Sequence, residues 1–191
     1  MKLSMYRRTA IAVLVSFAAT IAILAPLPAS AQQQQIPLVV AVLDVNLILR
    51  ESSAAKAVRA QIDKQRDTYQ AALVTQENKL RDADQKLSQD RASLSQEEFL
   101  KRRDELGKQI EQLRVDSDKR KQALEKAFNS GMQQVTQSLG QVLSEIAKQR
   151  GLTLVLNKAM VPLSANDLDI TQEALKMLNA RLPNVAVPAS Q

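Results

Sequence analysis

The 191-residue sequence contains no cysteine, no histidine and no tryptophan, only four glycines and six prolines, and three phenylalanines with two tyrosines as its aromatic content. Without His or Cys there is no Ser-His-Asp or Cys-His nucleophile system, no imidazole acid/base switch, and no ordinary zinc, haem or iron-sulfur site. A disulfide framework is equally excluded. The glycines, at 107, 131, 140 and 151, are too scattered for the clustered loop that cradles a phosphate. An enzyme built from this chain would rely on carboxylates or lysines alone, and no acid pair stands in a pocket-like setting. The sequence therefore reads as a binding or structural protein with no catalytic, cofactor or metal residues.

A long hydrophobic run occurs once, near the start. Lys2, Arg7 and Arg8 carry positive charge with no acid, Ala10–Ala25 is apolar except for Ser16 and Thr20, Pro26 ends the run, and Ala29-Ser30-Ala31 is a small-x-small cleavage pattern. The 17 residues between Arg8 and Pro26 fall short of the ~20 that span a bilayer. Residues 1–31 are expected to be a cleaved signal peptide of bacterial style, placing the mature chain in the periplasm. The whole chain carries 26 basic and 20 acidic side chains, a net +6; removal of the leader takes three positive charges and leaves +3. Outside the cytoplasm ATP is absent, and an exported chain without disulfides holds itself together by packing, which here points to association with other copies.

In the mature chain, Pro37 is followed by no proline until Pro162, and the intervening sequence is rich in Ala, Leu, Gln, Glu, Lys, Arg and Asp. These residues lose little on entering a helix. Residues 38–43, Leu-Val-Val-Ala-Val-Leu, read as a strand buried on both faces. Asp44–Arg50 reads as a turn or short helical segment with Asn46 as its cap, and Ser52 and Ser53 as N-caps of a long helix starting near Ala54. Leu73, Leu80, Leu87 and Leu94 recur every seven residues, with Ile62, Tyr69 and Ala83 in the intervening seam and Arg66, Gln76 and Asp90 as polar interruptions. Ser95 and Glu98 form a capping box ahead of Phe99 and Leu100, starting a second helix. Its seam runs through Leu106, Ile110 and Leu113, then Leu124, Phe128, Met132, Val135, Leu139, Val142 and Ile146, with a stutter near Phe128. Lys148, Arg150 and Gly151 supply the C-terminal signature. The two helices predict an antiparallel hairpin over 53–150 with its tip near 91–95, and Gly107, Ser117 and Gly131 are candidate bending points.

The two ends of the chain supply a small body over 38–52 and 151–183. Residues 152–156 read as a second strand and Ala159–Leu163 as a third, placed at an edge by Pro162. Thr171 is the expected cap of a last helix closed by Pro183, with Ile170 and Leu175 as a hydrophobic staple. Residues 32–37 and 184–191 read as disordered tails. Three short strands and one helix bury too little to stand alone, so strands of several chains are expected to share one core, with Val40, Val42, Leu152, Leu154, Leu156, Val161 and Leu163 as the contacts between chains.

The Val-Ala-Val-Leu-Asp at 40–44, the long hairpin, the Gly-Leu-Thr-Leu-Val-Leu at 151–156 and the Asp-Ile-Thr at 169–171, behind a signal peptide, together resemble the Skp (OmpH-like) family of periplasmic chaperones. The resemblance covers about residues 38–182. It implies an α+β fold, a homotrimer with a small β-rich oligomerisation body and three coiled-coil tentacles enclosing a cavity, and an ATP-independent holdase for unfolded outer-membrane β-barrel proteins.

Leu94, Phe99 and Leu100 are candidate client contacts or packing groups of the hairpin tip. Lys101, Arg102 and Arg103 are candidate contacts for anionic lipid headgroups or acidic client segments. Against that stands a plain solvated helix face, since Glu97–Lys101, Glu98–Arg102 and Asp104–Lys108 are acid-before-base pairs at i, i+4. Two other functions compete with the chaperone: an exported or membrane-tethered structural coiled coil of the envelope, and a basic nucleic-acid binder. The latter is disfavoured because residues 50–130 interleave 18 basic with 15 acidic side chains, whereas a duplex-binding surface wants unbalanced positive charge.

Overall fold

The computed structural model describes residues 37–188, so the expected leader and all of the N-terminal tail but Pro37 lie outside the described residues. Within them the chain runs β1 (Val40–Leu43), α1 (Val45–Glu51), α2 (Ser53–Gln89), a 3₁₀ turn at Asp90–Ala92, α3 (Gln96–Arg150), β2 (Leu154–Asn157), and α4 (Thr171–Arg181). The fold is mostly helical, with a two-stranded parallel sheet. Parallel strands need a crossover, and here the whole hairpin of α2 and α3 provides it.

α2 has 37 residues and α3 has 55, or about 55 Å and about 80 Å at 1.5 Å per residue. The excess length of α3 is its C-terminal third, which forms the spine of the body. Val135, Leu139, Val142 and Ile146 join one core with Ala41, Leu43, Ile48, Ile170, Ala174 and Leu178. Gly151, at φ 64°, adopts the left-handed conformation that ends α3, with its N–H donating to the Ala147 carbonyl. Arg150–Glu173 (2.6 Å) and Arg181–Glu145 then tie α4 to the end of α3.

Short-range capping differs from the sequence expectation in three places. Asp44, not Asn46, caps α1, its carboxylate accepting from the Leu47 N–H at 2.8 Å. Ser52 occupies the N-cap position of α2, but its hydroxyl is buried without a hydrogen bond. The cap is supplied from α4 instead, where Asn179 Oδ1 accepts from both the N–H and the hydroxyl of Ser53 at 2.9 Å. Thr171 does not cap α4, which starts from Ile170; its hydroxyl oxygen accepts from the Asp44 N–H at 2.9 Å. Arg59 from α2 holds the end of α1, donating from Nη2 to the carbonyls of Leu49 (2.6 Å) and Arg50 (2.9 Å).

The expected third strand at Ala159–Leu163 is not formed. Asn157 Oδ1 accepts from the Ala159 N–H at 3.1 Å and turns the chain into a 3₁₀ segment at Lys158–Met160, and Pro162 has no N–H to offer a ladder. The second edge of β1 goes to Asp169, which bridges Val42, while the Ile170 N–H donates to the Val42 carbonyl at 2.9 Å. Asp169 accepts from the Thr171 N–H at 2.9 Å and from Lys158 Nζ at 2.6 Å. The Asp-Ile-Thr segment thereby locks the end of β1 to the start of α4.

Residues 184–188 also depart from the sequence expectation. They are not a free tail but an extended strap on the hairpin root, with Val185 and Val187 buried. Val185-Ala186-Val187 is a short apolar run between Pro183 and Pro188, too brief to stand out from the expected disordered tail.

Candidate functional site

The hairpin is packed at its two ends and loose between them. At the root, Ala54, Ala55, Val58 and Ile62 of α2 face Leu124, Ala127, Gly131 and Val135 of α3, all buried. At Gly131 the helices press together: a Cβ there would lie 2.9 and 3.0 Å from the two Val58 methyls. It is a close-packing position rather than a bending point, and α3 continues unbroken through Gly107, Ser117 and Gly131 alike. At the tip, Leu87 and Leu106 are buried, the Ser95 hydroxyl accepts from the Glu98 N–H at 3.2 Å, and the Arg91 guanidinium lies 4.3 Å from the centre of the Phe99 ring.

Between these ends, residues 63–86 and 107–123 contain no buried side chain. The heptad leucines Leu73 and Leu80, with Leu113, are only half-covered, and Val74 and Ile110 are exposed. Polar seam residues are the reason: Arg66 and Gln76 are exposed and separate the leucine layers instead of completing them. Open grooves follow along the hairpin. One, of about 740 Å³, is lined by Thr68, Tyr69, Leu73, Gln76, Leu113 and Arg120; another, of about 600 Å³, by Leu73, Leu80, Ile110, Leu113 and Ser117 among charged neighbours. The Tyr69 hydroxyl is buried in this stretch without a hydrogen-bond partner, and the Arg120 guanidinium lies 5.4 Å from its ring. The seam assignment of Tyr69 gave no sign of this groove, because one heptad position says nothing about the width of the gap beside it.

The sequence-predicted tip residues divide. Leu94 and Phe99 are half-buried, Leu100 is 51% exposed, and Lys101, Arg102 and Arg103 all face solvent. Of the predicted pairs, Asp104–Lys108 forms at 2.6 Å and Glu98–Arg102 is loose at 3.8 Å, while Glu97–Lys101 is absent from the ion pairs of the described residues. Bonding and attraction to Asp104 push the Lys108 ammonium above its ordinary pKa. Some other hairpin charges pair locally, as in Arg66–Asp63 at 2.9 Å and Arg114–Glu111 at 2.7 Å, and acids and bases interleave along the shaft around exposed apolar groups.

On the body, the strand register sets Val40 opposite Leu154 and Val42 opposite Leu156. Because side chains alternate, these four share the outer face, while Ala41, Leu43 and Val155 belong to the core. Leu154 and Leu156 are exposed and Val40 is half-buried, but Val42 is 1% exposed and already covered within its own chain, where residues 166–170 run beside β1. Leu152 is half-buried against the core, Val161 is half-buried, and Leu163 is 90% exposed, with Leu38 and Met160 nearly as open. Among the described residues no acidic cluster suited to a metal ion occurs, and no helix is long and apolar enough to cross a membrane.

Comparison with known proteins gives a family match to a model described as Outer membrane protein (OmpH-like), over residues 39–178. A crystal structure of a candidate OmpH-like outer membrane chaperone from Caulobacter crescentus CB15 is similar with a TM-score of 0.76 and 17% identity, over 81% of this chain and 92% of that one. At that identity the likeness is one of fold. No curated protein matches the chain.

Proposed function

Because the chain belongs to the OmpH-like family, we propose that it is an ATP-independent periplasmic holdase, exported by a cleaved leader, that keeps unfolded outer-membrane β-barrel proteins from aggregating. The observation that carries this reading is the loosely packed middle of the hairpin. Half-covered leucines, exposed Val74 and Ile110, and interleaved charge make a long surface of many weak, non-specific contacts, which Leu100 extends toward the tip. Such a surface retains an unfolded chain by summing weak contacts, and binds no single sequence tightly. A shaft whose seam is interrupted by Arg66 and Gln76 also bends more readily than a fully packed coiled coil, which suits clients of different size.

An exposed apolar face on the body supports the same reading. A two-stranded sheet is marginal in water, and its outer face carries Leu154 and Leu156 exposed beside Val40, with Leu38, Met160 and Leu163 uncovered nearby. Copies of the chain, three on the pattern of the family, cover that face and bring their hairpins together around a cavity. In this reading the exposed Lys101, Arg102 and Arg103 at the hairpin end meet acidic client segments or anionic headgroups. The interleaved charge of the hairpin disfavours nucleic acid.

The test is dilution of a urea-unfolded outer-membrane barrel protein into buffer with and without the mature chain, followed by light scattering. Suppressed scattering at a several-fold chain excess supports the holdase. Scattering unchanged by the chain leaves the structural coiled coil as the better account.

A further inference from the structure

We propose that the hairpin root carries a binding site for an extended peptide segment with apolar side chains at alternate positions, and that the chain's own C-terminal strap fills it as an internal stand-in. The strap, residues 184–188, lies outside the part of the chain matched by the family model, which ends at residue 178. It runs along the root of α2, and the polar contacts that hold it there are made to its backbone. Gln61 Nε2 donates to the Val185 carbonyl at 2.7 Å, and Gln61 Oε1 accepts from the Val187 N–H at 3.0 Å. One side-chain amide thus presents a donor and an acceptor to a stretch of chain as a neighbouring strand would. The second Nε2 hydrogen goes to the Ala57 carbonyl at 3.1 Å, which fixes the orientation of the amide in advance. Gln65 Nε2 adds a bond to the Pro188 carbonyl at 3.3 Å.

Between these contacts Val185 and Val187 point into the root and Ala186 stays exposed. Gly131 lies beneath Val187: a Cβ there would meet a Val187 methyl in ordinary contact at 3.5 Å, while pressing on Val58. The other strap side chains, Asn184, Ala186 and Pro188, are exposed, so any extended segment with apolar groups at i and i+2 meets the same requirements. That is the side-chain pattern of a strand with one apolar face, including the strands of a membrane barrel, whose residues alternate between lipid and lumen. Recognition of this kind adds a strand-like peptide to a prepared edge. Two buried valines and three hydrogen bonds outweigh the entropy of ordering five residues only modestly. The strap therefore exchanges, and its covalent tether, equivalent to a millimolar local concentration, keeps the site filled until a client held elsewhere on the hairpin competes. The identity of that competitor rests on the holdase reading; the site itself does not.

The test uses the full chain carrying Val185→Ser and Val187→Ser, which keeps the tail but empties the two apolar seats. A fluorescent peptide of residues 183–191 should bind this variant at least tenfold tighter than it binds the natural chain, by anisotropy. The added Gln61→Leu change should erase the gain, and an isomer peptide with its two valines adjacent should bind at least tenfold more weakly. Equal binding by the variant and the natural chain, or equal binding of the two peptides, overturns the proposal and makes the strap a brace only. Should the double variant fail to fold by circular dichroism, hydrogen exchange on the natural chain decides. Millimolar peptide should accelerate exchange at the Val187 amide and leave the Leu139 amide unchanged; no acceleration overturns the proposal. Client aggregation enters neither readout, so failure of this site and failure of the holdase reading are separate results.

Discussion

Two glycines on the same helix should respond to alanine with opposite sign. In a helix interior Ala is favoured over Gly by about 1 kcal/mol. At Gly107 an added methyl meets nothing within 4 Å, so Gly107→Ala should realise most of that gain, about 0.5–1 kcal/mol. At Gly131 the same methyl would stand 2.9 and 3.0 Å from the Val58 methyls, inside van der Waals contact. Val58 is fully buried and branched at Cβ, so it yields only by moving α2 away from α3; overpacking of this kind costs about 1–3 kcal/mol. The net for Gly131→Ala is a loss of about 1 kcal/mol, and the two variants should differ by about 2 kcal/mol. Urea unfolding followed by helical ellipticity, at one fixed protein concentration, measures both. A Val58→Ala background should relieve the crowding and return Gly131→Ala to a gain, a coupling that a double-mutant cycle reads directly. If Gly131→Ala stabilises as much as Gly107→Ala, the argument for a tightly closed hairpin root is wrong.

Three further outcomes follow from the body. Asn179→Ala removes the acceptor that caps α2 from α4 and should lower stability by about 1 kcal/mol in the same urea assay. Burial pushes the Asp169 carboxyl up, but bonds from Lys158 and from the Thr171 hydroxyl and N–H outweigh it and bring its pKa from 3.8 to about 2. A depressed carboxylate stabilises the fold above its unfolded pKa and ceases to as pH falls through the folded value. Allowing for the half-exposed Lys158, about 1 kcal/mol should disappear between about pH 4 and pH 2 and be missing at all pH values above that window in Asp169→Asn. Leu154→Asp, on the exposed outer face, should reduce sedimentation to that of a single chain while retaining helical ellipticity, whereas Val42→Asp, buried within one chain, should unfold the body as well.

Much of this architecture is written in local patterns. The seven-residue spacing of Leu73, Leu80, Leu87 and Leu94, the Ser95 cap and Gly151 mark both helices and their turn, because each is a one-dimensional signal of period or termination. The two strand runs are visible for the same reason, whereas the face shared by Val40, Leu154 and Leu156 comes from the strand register. What stayed hidden depends on partners far apart in sequence. Asn179 reaching Ser53, Asp169 taking the edge of β1 that a third strand was expected to use, and Gln61 gripping Val185 and Val187 all join residues brought together only by the return of α3. Gly131 shows the same limit: in sequence it reads as a weak point of a helix, and its value lies in Val58 opposite. The tip cations were legible as a cluster, and the grooves beside Tyr69 and Leu73 were not, since their width depends on how α2 and α3 pair across the gap.

The central claim, that exposed hairpin surface on an assembled body holds an unfolded barrel protein, is tested most directly by sedimentation velocity with a fluorescent, urea-unfolded outer-membrane barrel protein diluted into the mature chain. The account predicts one discrete boundary in which the labelled client travels with several copies of the chain. Client that sediments alone or as heterogeneous aggregate, while the chain sediments unchanged beside it, would contradict the account.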